Sequence, residues 1–295
     1  MFDLDTLPQD LAEILAIARS IGWGAAEILL TAQRTSFGVE QAGESPVTTA
    51  DLAANQYILD NLQATLGMQD FAYLSEETFQ SQPIAARLDR PWVWIIDPLD
   101  GTKDFINRTG EYAVHIALAH QGRPVLAIVA CPEQDKLYYA TLGGGAFVET
   151  RKAGASHTQP VKVSTKNQPE EMTIVASRSH RDQRFDQLMQ QFPGKDQRQV
   201  GSVGGKIAAI VERQADVYIS LSGKSAPKDW DFAAPELILT EAGGKFTHFD
   251  GSPLLYNQKD VSQWGGILVS NGQCHQALCD RAEKILADID RESDL

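Results

Sequence analysis

Two carboxylates three residues apart close an apolar run in Trp92–Phe105, WVWIIDPLDGTKDF, and a glycine and a threonine follow at once. Asp97 and Asp100 so placed repel one another unless something cationic lies between them. Hard oxygen ligands on a stiff scaffold suit Mg2+, which is usually held by a few carboxylates together with a substrate phosphate. Pro98 fixes the backbone between the two acids, Gly101 permits close approach to a ligand, and Thr102 supplies a hydroxyl. The competing reading of D-P-x-D-G is a surface turn, since all these residue types favour turns.

Other acids stand in comparable settings. Glu76 and Glu77 follow the short apolar run FAYL. Asp231 lies between Trp230 and Phe232 at the start of DFAAPELILTEAGG, which has helical periodicity and a stop at Gly243. Asp231 could instead cap that helix or oppose its dipole, a task Asp229 could also perform. Asp51 falls in the first turn of a helix that Thr48 or Thr49 can cap, with the same ambiguity.

These residues are far apart in the chain, so a framework must gather them. Leu11 to about Thr31 reads as a helix with a bend expected at Gly22–Gly24, and SFGVEQAGESPVTTAD as a hairpin or mobile loop. WVWIID is too short for a typical helix and too apolar for a half-exposed strand, which predicts a buried strand ending at Pro98. Tyr112 to Val148 predicts an antiparallel meander with turns at HQGRP and LGGGA, extended by PVKVS. Strands then alternate with helices. The pattern predicts an α+β half, residues 1–160, followed by an α/β half, residues 161–295, in layered sheets and helices with the site between them.

Composition sets the outer bounds. The 295 residues carry 39 acidic and 26 basic side chains, a formal charge of −13 that disfavours nucleic-acid polymers and anionic membranes as partners. A small phosphorylated ligand remains compatible, because bound divalent cations invert the local sign. No apolar run is read as approaching the roughly 20 residues of a membrane span. The acidic N-terminus is unlike a secretory signal, so a cytoplasmic location is expected. Cys131, Cys274 and Cys279 form no metal-binding spacing and read as free thiols. His115, His120, His157, His248 and His275 form no paired zinc motif, and Trp23, Trp92 and Trp94 read as core. GSVGGK, ending at Lys206, lacks the spacing of a nucleotide-binding P-loop, and no calcium-loop pattern occurs.

The set TTAD, SEET, DPLDGTKDF and WDFAAPELILTEAGG, in this order, resembles the inositol monophosphatase superfamily of Mg2+-dependent, lithium-sensitive phosphomonoesterases. The likeness runs from about Thr48 to Asn271. DGTKDF, ASRSH and the lysine of GSVGGK look most like the CysQ-type branch, which removes the 3'-phosphate of adenosine 3',5'-bisphosphate. The resemblance implies a layered αβαβα sandwich of the inositol monophosphatase and fructose-1,6-bisphosphatase type. It implies two or three Mg2+ ions held by Glu76, Asp97, Asp100, Asp231 and the Leu99 carbonyl, with Asp97 shared. Glu77 would stand just outside the ligands. Asp51 and Thr102, with Glu76, would be the catalytic groups, Thr102 orienting the attacking water. Gly101, Thr102, His180, Ser202, Lys206 and Asp231 would contact substrate, Lys206 as a point charge for a second phosphate. Lys224 and Lys228 could add to that anion pocket but read better as solvated loop charges.

The expected activity is thus hydrolysis of adenosine 3',5'-bisphosphate, and of its sulfated form, by a monomer or homodimer. An inositol or sugar-phosphate phosphatase on the same scaffold is the alternative enzyme. A metal-dependent nucleotide sensor that binds without cleaving is the alternative outside catalysis.

Overall fold

In the computed structural model residues 7, 10–42, 45–67, 69–152, 155–178 and 181–293 are described. Helix α1 (Leu11–Arg34) starts at Asp10, whose side chain accepts the Ala12 amide, and runs unbroken through the expected bend. It is long and apolar enough to cross a membrane by length and composition, against the reading of the sequence. Its stripe of Ile14, Ala18, Ile21, Ala25 and Leu29 is spent inside the protein. Strands β1 (Val39–Ala42) and β2 (Ser45–Thr48) pair antiparallel as a hairpin and lead into α2 (Thr49–Leu66).

A seven-stranded sheet follows in sequential order. Its strands are β3 (Phe71–Ser75), β4 (Trp92–Asp100), β5 (Ala113–His120), β6 (Arg123–Cys131), β7 (Lys136–Thr141), β8 (Gly145–Lys152) and β9 (Ala155–Pro160). Neighbours are antiparallel except β3 and β4, which run parallel. Short helices α3 (Ala85–Leu88) and α4 (Thr102–Ile106) flank β4. The meander ends differently from expectation. The final strand is the exposed Ala155–Pro160; Val161, whose amide still bonds the Ala146 carbonyl of β8, and Val163, whose amide bonds the Ala242 carbonyl, turn their side chains into the central core.

The remaining chain contains β10 (Thr173–Ser177), α5 (Gln183–Gln191), β11 (Asp196–Val200), α6 (Val203–Val211), β12 (Val217–Leu221), α7 (Asp229–Glu241), β13 (Lys245–His248), β14 (Gly266–Ser270) and α8 (His275–Ser293). The five strands lie in the order β11-β10-β12-β14-β13. Strand β10 is parallel to both neighbours, and β14 is antiparallel to both of its own.

Strand alternation distributes the apolar side chains into three cores. Trp92, Trp94 and Ile96 of β4 pack with Val114 and Ile116 of β5 under α1 and α2. Val93, Ile95, Ala113 and Ala117 face the other way, onto α6 and α7, with Val175 and Tyr218 of the second sheet completing that core. Ile174, Val217 and Leu268 point outward to α5 and α8. The result is five layers, helix, sheet, helix, sheet, helix, as the resemblance implied. Each fully buried large apolar side chain contributes roughly 1.5–3 kcal/mol to holding them together.

Candidate metal centre and active site

The acids converge because β4 is not a regular strand. Alternation alone would send Asp97 and Asp100 to opposite faces. Instead the register with β5 shifts between them: Asp97 pairs with His115, and Asp100 with Ala113. Three steps on β4 match two on β5, which is one extra residue, a β-bulge. The parity change is visible in the packing. Leu99 joins Trp92, Trp94 and Ile96 under the first helix layer, so Asp100 takes the face of Val93, Ile95 and Asp97. Pro98 sits inside this irregularity, where its missing N–H interrupts no regular ladder. The strand therefore continues to Asp100 rather than ending at Pro98.

Asp231 arrives from the other half. It occupies the third position of α7, where one oxygen, Oδ2, accepts the Lys228 amide at 2.5 Å. Asp231 thus performs the capping that sequence left open between two aspartates. Asp229 is instead buried beneath the following loop, accepting the Asn257 amide at 2.6 Å and the Gln263 side-chain amide at 2.8 Å. Ligand oxygens of Asp97, Asp100 and Asp231 all lie within 4.8 Å of one another. Glu76 joins them because β3 and β4 are parallel and in step: Ser75 pairs with Ile96, and the Glu76 amide bonds the Ile96 carbonyl at 3.2 Å.

The electrostatics record what this crowding costs. Burial first, and then the Glu76, Asp100 and Asp231 charges, push the Asp97 carboxyl well above the usual range. Glu76 is raised in the same way, by burial and then by Asp231, Glu77 and Asp51. Burial and the Asp100 charge lift Asp231 to about 6. Burial and the Asp51 charge lift Glu77 to about 7. Asp100 goes the opposite way. Burial would raise it, but His115, Lys206 and the Gly204 amide together hold it below the ordinary value. Acids this close, two of them buried, call for a countercharge, and a set composed wholly of hard oxygens fits divalent cations such as Mg2+.

Beside the cluster lies a hydroxyl–carboxylate pair. Thr48 and Asp51 form a capping box at the head of α2, with Asp51 Oδ2 accepting both the Thr48 amide at 2.9 Å and the Thr48 hydroxyl. The other oxygen, Oδ1, accepts the Thr102 hydroxyl at 3.2 Å. That hydroxyl is also 3.2 Å from the Leu99 carbonyl, the expected backbone ligand. Burial raises the Asp51 pKa, although the Thr48 bonds offset part of the effect. Gly101 makes the turn possible. Its φ is +92°, and a Cβ there would lie 3.1 Å from the Glu111 carbonyl oxygen and 3.3 Å from Ser202 Cβ.

The expected substrate contacts of the second half fare differently. Ser202 is fully buried and caps α6, its hydroxyl accepting the Gly205 amide at 2.9 Å. Lys206 is 1% exposed and gives its ammonium to the Gly201 and Ser202 carbonyls at 3.0 and 2.9 Å, above the Tyr218 ring. Burial lowers its pKa to about 8. Both groups are thus engaged by their own loop, and these bonds do not themselves carry a contact with a second phosphate. Lys206 acts from behind, as one of the charges that hold Asp100 ionised. His180 lies outside the described residues. Arg178 is salt-bridged to Asp104 and, at 2.6 Å, to Glu111, while Arg181 pairs with Asp186. Lys224 is exposed, and Lys228 bonds Ser262 at 2.7 Å.

Sequence reasoning missed His115. It was set aside as having no paired motif, yet its Nε2 is 3.1 Å from Asp100 Oδ2. The available signal was a polar residue in the middle of an otherwise apolar strand buried on both faces, AVHIALAH.

The chain matches the family model of the inositol monophosphatase family over residues 10–287. It is 33% identical over 254 residues to the 3'(2'),5'-bisphosphate nucleotidase CysQ of Salmonella typhimurium, covering 85% of this chain and 95% of that protein. The protein of the same name from Escherichia coli K12 is 33% identical over 234 residues, 79% of this chain and 88% of that one. Among solved structures, CysQ from Bacteroides thetaiotaomicron superposes with a TM-score of 0.74 at 28% identity, over 89% of this chain and 98% of that chain. A Thermotoga maritima IMPase superposes with a TM-score of 0.76 at 22% identity, over 94% of this chain and 99% of that chain, and shows the shared fold.

Proposed function

The chain belongs to the inositol monophosphatase family, and from that premise we propose that it is a Mg2+-dependent 3'(2'),5'-bisphosphate nucleotidase. Its substrate is adenosine 3',5'-bisphosphate, whose 3'-phosphate it removes to give AMP, and the sulfated form is a second substrate. The observation that carries the reading is the triad of buried Asp97 and Asp100 with half-buried Asp231, within 4.8 Å, beside the Thr102–Asp51 pair. The substrate assignment is supported by the CysQ likeness.

Asp97, Asp100, Asp231, Glu76 and the Leu99 carbonyl would hold the cations. Divalent ions there polarise the phosphoryl oxygens and make a water more acidic, which phosphate-ester hydrolysis needs. The protein's own groups supply orientation and proton handling. Asp51, fixed by Thr48, takes the Thr102 hydroxyl hydrogen, so the Thr102 oxygen is left to accept a hydrogen from the attacking water. The amides of Gly101 and Thr102, at the start of α4, favour the phosphate's negative charge. The buried Trp94 and Ile96 behind β4 hold these groups stiffly in place. Glu77 stands outside the ligands as a further acid, and His180 is the nucleotide contact.

The test is phosphate release from adenosine 3',5'-bisphosphate and from inositol 1-phosphate, each with Mg2+ and with EDTA. The expected result is a far higher kcat/KM for the bisphosphate and no release in EDTA. A preference for inositol 1-phosphate, or turnover without divalent ions, would overturn the reading. Tight nucleotide binding with Mg2+ but no release in a single turnover would identify a sensor instead.

A further inference from the structure

His115 is wholly buried on β5 and shares its sheet face with Ala113 and Ala117. An imidazole in such surroundings is costly unless its nitrogens are bonded. Its Nδ1 lies 3.2 Å from the Trp230 carbonyl, which can only accept, so Nδ1 carries a hydrogen and donates it. Its Nε2 lies 3.1 Å from Asp100 Oδ2. This second approach is a close polar contact rather than an aligned hydrogen bond. The same Oδ2 accepts the Gly204 amide at 2.9 Å. The third side of the ring is closed by α6, where a Cβ on Gly204 would stand 2.6 Å from Nε2.

We propose that His115 is a positioning residue for the metal centre, tying the Asp100 carboxylate on β4 to the backbone that carries Asp231 on α7. Trp230 immediately precedes Asp231, so one ring sets the spacing between ligands that come from the two halves of the chain. The inference rests on the metal reading above. Partners that orient metal ligands typically change affinity by roughly 10–100-fold when removed.

The experiment uses Mn2+ as probe, with its binding to the full chain followed by calorimetry and by the electron paramagnetic resonance signal of the free ion. Melting of the metal-free protein in EDTA is measured alongside. His115→Leu keeps bulk and removes the Nδ1 bond together with the Nε2 contact, and it is expected to weaken Mn2+ binding by roughly 10–100-fold. His115→Gln reaches the Nε2 position and should recover most of the loss. His115→Asn replaces only the Nδ1 end and should not. Unchanged Mn2+ affinity in His115→Leu, with only a shifted metal-free melt, would reduce the residue to packing and overturn the proposal. If His115→Leu does not fold, Gln binding no better than Asn overturns it equally. Asp100→Asn separates the two readings. Wild-type affinity that is insensitive to Asp100→Asn removes the metal centre and the His115 role together. Sensitivity to Asp100→Asn with indifference to His115→Leu removes the His115 role alone.

Discussion

Thr102 has one hydroxyl hydrogen and two acceptors at equal distance, Asp51 Oδ1 and the Leu99 carbonyl, both at 3.2 Å. If its work is to orient a water, removing the hydroxyl should cost rate and leave binding nearly intact. Thr102→Val preserves shape, and its kcat is expected to fall by about 10^2–10^4-fold with little change in KM or in Mg2+ dependence. Steady-state kinetics across Mg2+ concentration checks this, and an unchanged kcat would remove Thr102 from the chemistry. At this scale the sequence was legible where a residue's role follows from its own chemistry. Asp97 and Asp100 are of this kind, two like charges three residues apart, whereas Asp231 stood open between capping and ligation. The sequence was less legible where the surroundings depend on what the backbone presents. A lysine six residues into GSVGGK looks like an anion ligand, but two carbonyls of its own loop take its ammonium. His115 failed to register because its partners come from β4 and α7, far away in the chain.

Elements set the positions of these groups by small irregularities. The bulge in β4 turns Asp100 onto the face of Asp97, and α4 then holds Thr102 against it. The loop before α6 fits onto α4 with no space to spare: a Cβ at Gly201 would lie 2.2 Å from Asp104 Oδ2. Asp104 is itself gripped by Arg178 and by the Thr109 hydroxyl at 2.8 Å, so it has little room to yield. Gly201→Ala is therefore expected to destabilise the fold by about 1–3 kcal/mol through overpacking. It should also lower kcat by a larger factor than KM changes, because α4 carries Thr102. Denaturant unfolding together with kinetics measures both, and wild-type values of each would show that this contact does not position α4. The strong elements were readable from pattern. The apolar β4 and the meander from β5 to β8 announce themselves by composition and alternation. Strand β11, DQRQV, was not read because an edge strand with four exposed polar residues before a single valine has no apolar period to detect. Strand β9, ASHTQP, is fully exposed and was passed over for the neighbouring valines for the same reason.

The molecule as a whole concentrates negative charge at the junction of its two sheets. Glu76, Asp97 and Asp100 lie on or beside the parallel strands β3 and β4 and Asp231 lies on α7, so cations bound among them would tie the seven-stranded sheet to that helix. The layered architecture was legible in the switch from meander to alternating strands and helices, whereas the meeting of the acids was supplied by the resemblance, since no local pattern encodes it. Without metal the cluster should oppose folding in a pH-dependent way. Carboxyls raised by burial and by one another, Asp231 to about 6 and Asp229 and Glu77 to about 7, bind protons more tightly folded than unfolded. Stability from them is complete below the unfolded value near 4 and is lost as pH rises through the folded values. Asp100, held low, contributes in the opposite sense, losing stability as pH falls. Metal binding needs the ionised forms, so it strengthens over the interval in which the metal-free protein weakens. The most direct test is the melting temperature from pH 5 to 8, measured with saturating Mg2+ and with EDTA. The gap is expected to be small at pH 5 and to widen to on the order of 5–10 °C by pH 8, through loss in the EDTA samples. A gap that is absent, or that stays constant across this range, would contradict a cation-filled centre built from these acids.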